Sequence, residues 1–242
     1  MNLVIDAGNT LIKYAVFNGI TLAWQEAAQE ESFTEKIKGI FHAYPNIRSA
    51  LVSSVIDFDK KKLAALAVFC EVHLLSHKSR FPLKISYATP NSLGMDRLAL
   101  ATAAFYKYPD SNVLVIDAGS CITYDIVNDF GEYLGGAISP GLQMRYKALH
   151  RQTQKLPLLN PEELFDFIGN STASSIHSGI LNGISLEIDG VIALYQERFK
   201  DLTVILTGGD AQFLSKRLKN TLFANSNFLL EGLNYLLEYN KR

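Results

Sequence analysis

Two carboxylates followed by glycine stand at corresponding points of a repeat: Val4-Ile5-Asp6-Ala7-Gly8 returns unchanged as Val115-Ile116-Asp117-Ala118-Gly119. Each copy is an apolar run that reads as a buried strand, with an acid and a tight, backbone-exposing turn at its end. Such ends suit a metal–phosphate group. In the first copy Asn9, Thr10 and Lys13 add donors, so residues 6–13 form a candidate anion-binding hairpin. Asp6 would not touch phosphate directly, because like charges repel, and would act through Mg²⁺ and intervening water. Taken alone, Asp6 reads more simply as a turn cap. Its return as Asp117 favours the phosphate role.

A second group is Thr89-Pro90-Asn91-Ser92-Leu93-Gly94-Met95-Asp96-Arg97, at the start of an apolar helical run. Asp96 could accept a proton from an attacking hydroxyl, and Arg97 could grip a carboxylate with two parallel hydrogen bonds. Equally, Asp96 could only complement the helix N-terminus and pair with a cation. Spacing leaves both open. Gly135-Gly136 before Ser139-Pro140-Gly141, and Thr207-Gly208-Gly209, are further turns where a nucleotide could lie against backbone. Neither a P-loop nor a Rossmann fingerprint is present.

The elements needed to hold these residues follow from the apolar pattern. Strands are expected at 3–6, 11–17 and 21–25, with Asn18-Gly19 as a hairpin signal, then a helix at 33–43, a strand at 50–53, a helix at 59–68 and a strand at 72–75. A helix over 93–106 stops before Pro109. The second half opens the same way, with strands at 112–117, 122–128 and 133–138, followed by helices at 142–151 and 172–199, a strand at 203–207, a helix to 219 and a terminal helix at 227–239. This order predicts an α/β protein of mixed sheets covered by helices, in two domains, 1–110 and 111–242.

Composition narrows the partners. The 242 residues are 48% apolar and 19% charged, with a net charge of −1, which gives no electrostatic case for nucleic acid or an anionic membrane. Cys70 and Cys121 make no disulfide framework or zinc site. No basic leader and no stretch of ~18 apolar residues is seen, so a cytoplasmic location is expected. His73 and His77 lack companion ligands and read as an ordinary polar pair. His177 has no nucleophile elbow beside it. The group Arg145, Lys147, His150, Arg151 and Lys155 reads first as a solvated helix face and second as a basic patch that attracts an anionic nucleotide.

Together the motifs Asp6-x-Gly8-Asn9-Thr10-x-x-Lys13, Thr89-Pro90-x-x-Leu93-Gly94-x-Asp96-Arg97, Asp117-x-Gly119-x-x-x-Thr123-x-Asp125, Gly135-Gly136-x-Ile138-x-Pro140-Gly141, Thr172 with Ser178-Gly179, and Thr207-Gly208-Gly209 resemble type III pantothenate kinases. The resemblance implies two tandem ribonuclease-H-like domains of actin-like ATPase architecture and a homodimer. It further implies phosphorylation of pantothenate at its primary hydroxyl, with ATP, Mg²⁺ and a monovalent cation, K⁺ or NH₄⁺. It assigns Asp6, Ala7, Gly8, Asn9, Thr10, Leu11, Ile12 and Lys13 to the ATP phosphates, with Asp6 also serving Mg²⁺. Asp96 becomes the proton acceptor, and Tyr87, Gly94, Met95, Arg97 and Thr172 join it around pantothenate. Asp117 matches the monovalent-cation position and Ser120 an ATP contact. Here Gly119-Ser120-Cys121 replaces the family's usual Gly-Thr-Ala, keeping the hydroxyl. A same-fold kinase for another small hydroxyl substrate, or a non-catalytic regulatory relative, are the alternatives; the retained Asp96 and Arg97 count against the second.

Overall fold

The computed structural model describes residues 1–8, 11–29, 33–54, 59–162, 166–220 and 222–241. The chain divides into two compact units: the first comprises residues 1–107 and 227–242, the second 108–226.

The first unit opens with the antiparallel strands β1 (Asn2–Ala7), β2 (Ile12–Asn18) and β3 (Thr21–Ala28). Helix α1 (Phe33–Ala43), strand β4 (Ser49–Ser54), helix α2 (Lys60–Ala67) and strand β5 (Glu71–Leu74) follow. The sheet order is β3-β2-β1-β4-β5, with β4 parallel to β1. Because strand side chains alternate between faces, Leu3, Ile5 and Ala7 pack on Phe33, Ile37 and Ile40 of α1, while Val4 joins a second cluster on the opposite face. Burial on both faces is why β1 reads as a continuous apolar run. The α2 helix is started by Asp59, whose side chain accepts the Lys61 amide proton at 2.8 Å. A two-residue strand β6 (Lys84–Ile85), a 3₁₀ turn (Pro90–Ser92) and helix α3 (Met95–Lys107) complete this stretch.

The second unit repeats the plan with β7 (Val113–Ala118), β8 (Cys121–Val127) and β9 (Glu132–Pro140), then α4 (Leu142–Gln152), α5 (Thr172–Arg198), β10 (Thr203–Thr207), α6 (Ala211–Ser215) and β11 (Phe223–Ala224). Its strands lie in the order β9-β8-β7-β10-β11, the same arrangement as in the first unit, and β10 runs parallel to β7. Leu114, Ile116 and Ala118 of β7 meet Ile176, Ile180, Ile184 and Ile188 of α5. A capping box between Ser171 and Ser174 starts that 27-residue helix, satisfying amides that lack helical partners.

Two expectations are corrected. The terminal helix α7 (Phe228–Asn240) belongs to the first unit, not to a 111–242 domain. Leu230, Leu233, Leu236 and Leu237 pack with Val4, Phe17 and Ala99, each buried leucine contributing roughly 1.5–3 kcal/mol. A Cβ on Gly232 would strike the Ala99 carbonyl, so the glycine lets α7 lie close on α3. Asn234, 1% exposed, accepts from Asn2 Nδ2 at 2.7 Å and donates to the Gly19 carbonyl at 2.9 Å. The helix expected to reach residue 219 ends at Ser215. Among the described residues no helix is long and apolar enough to cross a membrane.

Candidate active site

In the first unit the acids collect at one end of the sheet. Asp6 closes β1, in register with Lys13 of β2 and Ser53 of β4. Its pKa rises to about 6: burial raises it, the Lys13 ammonium lowers it, and the Asp96 carboxylate raises it again. Asp6 and Asp96 are therefore electrostatic neighbours, although 90 residues separate them in the chain. The Gly8 amide donates to the Leu11 carbonyl at 3.2 Å. Ala7 and Ile12 are part of the core, so only their main chain is left to meet a ligand. Leu11 and Lys13 are exposed. Asn9 and Thr10 lie outside the described residues.

Asp96 sits in the first turn of α3, and its Oδ1 accepts the Arg97 amide proton at 2.8 Å. Gly94 matters here for space, since a Cβ on it would collide with Asp96 Oδ1. Met95 is half-buried against the cluster that Ala99 of α3 forms with the α7 leucines. Arg97 is 6% exposed, a burial that a guanidinium tolerates only with compensating interactions. Tyr87 is half-buried in the segment between β6 and the 3₁₀ turn. His77, which had read as an ordinary polar residue, places Nε2 3.1 Å from the Leu93 carbonyl, directly before Gly94; His73 instead meets Ser79 Oγ at 3.0 Å.

In the second unit Asp117 closes β7, with Thr123 and Thr207 as register partners. Gly208 has φ +96°, and a Cβ there would strike both the Ala118 carbonyl and Asp117 Oδ1. The Asp210 amide donates to the same Ala118 carbonyl at 2.9 Å, and burial raises the Asp210 pKa. Ser120 is exposed in the β7–β8 turn. Gly141, the N-cap of α4, lies so close that a Cβ on it would hit the Gly119 and Ser120 carbonyls. Asp125 is fully buried and accepts from Thr123 Oγ1 at 2.9 Å and Tyr133 Oη at 2.8 Å, which makes it an internal anchor. Thr172 is exposed at the first position of α5, on a cavity of about 1150 Å³ that Leu149 and Leu156 also line.

The two hairpins are unequal. Ala7 pairs with Ile12 but Ala118 with Ile122, so the first loop is one residue longer and sets Asp6 opposite Lys13, whereas Asp117 faces Thr123. The first end is thus a cation-and-anion pair, the second an oxygen-rich one. Arg145 also departs from expectation. It forms no part of a solvated face but is engaged by Glu187 and the end of β9. His177 is buried between Tyr146 Oη, 2.8 Å from its Nδ1, and Glu162, 3.1 Å from its Nε2.

Comparisons with known proteins agree with this architecture. The profile of type III pantothenate kinases matches residues 2–194. A type III pantothenate kinase from Christiangramia forsetii is 51% identical over 100% of this chain and 99% of its own. Among solved structures, a Baf-family protein from Campylobacter jejuni aligns with a TM-score of 0.65 at 22% identity, covering 99% of this chain and 98% of that one. A ROK hexokinase from Thermus thermophilus aligns at 0.52 and 11% identity over 99% of each. These two similarities concern fold alone and match two tandem ribonuclease-H-like units of the actin-like ATPase architecture. By its sequence over the full length, the chain belongs to the type III pantothenate kinase family.

Proposed function

We infer that this protein transfers the terminal phosphoryl group of ATP to the primary hydroxyl of pantothenate, giving 4'-phosphopantothenate for coenzyme A synthesis. Family membership supports the reaction. The observation that carries the residue roles is that Asp6, paired with Lys13 across the β1–β2 ladder, feels the charge of Asp96. Phosphoryl transfer asks for a positioned nucleophile and for neutralisation of charge on the transferring group. In this reading Asp96 accepts the hydroxyl proton, Arg97 holds the pantothenate carboxylate, and Gly94, Met95, Tyr87 and Thr172 shape the acceptor site. Residues 6–13, with Lys13 as the cation, receive the ATP phosphates, and Ser120 contacts the nucleotide.

Mg²⁺ fits the first unit. Among the described residues no cluster of three or more His, Cys, Asp or Glu could cage a metal, and Mg²⁺ is ordinarily held by one or two carboxylates, phosphate oxygens and water. Asp6 supplies one carboxylate, whose raised pKa reflects burial that a cation would compensate. Bound there, Mg²⁺ would screen the phosphate charge. Asp117, beside the Gly208 backbone and two threonines, offers the oxygen-rich surroundings that suit K⁺ or NH₄⁺.

A homodimer and a cytoplasmic setting belong to the same proposal. Leu186 and Leu194 of α5 are 61% and 65% exposed, apolar area that a second copy would cover. The α7 leucines, by contrast, are spent within the chain. Incubation with ATP, Mg²⁺ and K⁺, with pantothenate or a panel of sugars, tests the reaction: ADP release that depends on pantothenate is expected. Release with a sugar alone, or with no acceptor, would overturn it.

A further inference from the structure

Arg145 of α4 ties together three elements of the second unit. Its Nε donates to the Pro140 carbonyl at 2.9 Å, and its Nη2 donates to Ser139 Oγ at 3.0 Å and to Glu187 Oε2 of α5 at 2.6 Å. Glu187 in turn accepts from Tyr124 Oη of β8 at 3.2 Å. Burial acts to raise the Glu187 pKa, but the hydrogen bonds from Arg145, Ser139 and Tyr124 and the Arg145 charge outweigh it and leave it below the usual carboxylate range. A guanidinium fork engaged on several acceptors fixes orientation as well as position. What it fixes is the segment Ser139-Pro140-Gly141, and Gly141 presses its backbone on the Gly119 and Ser120 carbonyls.

We propose that Arg145 is a positioning residue for the nucleotide: clamped by Glu187, it holds the 139–141 segment against the 119–120 turn and so keeps that turn in the shape that receives ATP. The inference rests on the reading that this turn contacts ATP. The Arg145 side chain is committed to Pro140, Ser139 and Glu187, so its effect is expected on nucleotide affinity through the turn it holds.

The test is steady-state kinetics on the full chain, with thermal unfolding as a check of folding. Arg145→Met keeps the length of the stem and removes the fork; loss of charged hydrogen bonds of this kind predicts an ATP KM raised about tenfold, with kcat and pantothenate KM within about twofold. Arg145→Lys retains the Glu187 pair but cannot span Pro140 and Ser139 together, and should fall between wild type and Arg145→Met. Ser120→Ala serves as the arm for the underlying reading. If Ser120→Ala raises the ATP KM while Arg145→Met does not, the positioning role is overturned and the nucleotide reading stands. If neither moves it, the nucleotide reading fails and the proposal falls with it. Should Arg145→Met lower kcat and raise both KM values together, Arg145 is a general structural brace and the proposal is likewise overturned.

Discussion

Asp6 stands directly opposite Lys13 across the β1–β2 ladder, and the ammonium limits, without cancelling, the rise in the Asp6 pKa caused by burial. The remaining cost weighs on the folded state. Since the folded-state pKa of about 6 lies above the ordinary 3.8, the native state binds this proton more tightly than the unfolded chain. The group's contribution is therefore most favourable below about pH 4 and is lost as pH rises through about 6.

Asp6→Asn removes that charge. Without nucleotide or divalent metal at pH 7.5 it should be more stable than wild type by about 1–3 kcal/mol, a few degrees in melting temperature, with the difference shrinking toward pH 4. The same variant should lose Mg²⁺-dependent nucleotide binding. Equal melting temperatures at pH 7.5 would show that Asp6 is not strained by its burial.

Asp96→Asn keeps the size of the side chain and its acceptor for the Arg97 amide, yet removes the carboxylate proposed to take the hydroxyl proton. A loss of kcat of about 10²–10⁴-fold with little change in either KM is expected. Gly94→Ala approaches the same residue from the side, because the new methyl group would collide with Asp96 Oδ1, the end of a movable side chain. Folding should survive. A fall in kcat of about tenfold at near-normal melting temperature is predicted, and unchanged turnover in both variants would remove Asp96 from the reaction.

Arg97 calls for a gentler change than truncation. With only 6% of its surface exposed, alanine would leave a cavity and disturb buried partners, confounding binding with stability. Arg97→Lys retains the charge but not the planar fork. The pantothenate KM should rise about tenfold or more, while kcat and the ATP KM change little. If the pantothenate KM stayed at its wild-type value, carboxylate recognition would have to lie elsewhere.

What was legible in the sequence follows from how far each interaction reaches along the chain. β1 and β7 are buried on both faces and so appear as unbroken apolar runs; their turns carry Asp6-x-Gly8 and Asp117-x-Gly119 in plain view. The unequal loops were not: the expected strands left four residues in each, and only the register, Ala7 with Ile12 but Ala118 with Ile122, separates them. An amphipathic helix, however, does not state which sheet it covers. α7 is placed by Asn2, 232 residues away from Asn234, and by the space above Ala99 that Gly232 leaves. Arg145 looked like one of several basic residues because its partner Glu187 lies 42 residues further on. The coupling of Asp6 to Asp96 is of the same long-range kind, and β6 and β11 are too short to show a period.

Gly208→Ala tests the second hairpin. The residue has φ +96°, which side chains rarely adopt, and the added Cβ would meet the Ala118 carbonyl as well as Asp117 Oδ1. Backbone cannot swing aside as a side chain can, so the strain and the overlap together should cost about 2–4 kcal/mol. Relief by shifting Asp117 would carry the carboxylate away from Thr123 and Thr207, its register partners. The variant should therefore melt several degrees lower and need a higher K⁺ concentration for half-maximal activity. Asp117→Asn separates the two effects: it leaves Gly208 in place and removes only the charge, so it should shift the K⁺ dependence with a smaller loss of stability. If Asp117→Asn left the K⁺ dependence as it was, the carboxylate would not be the cation's ligand, and the clash at Gly208 would matter for folding alone.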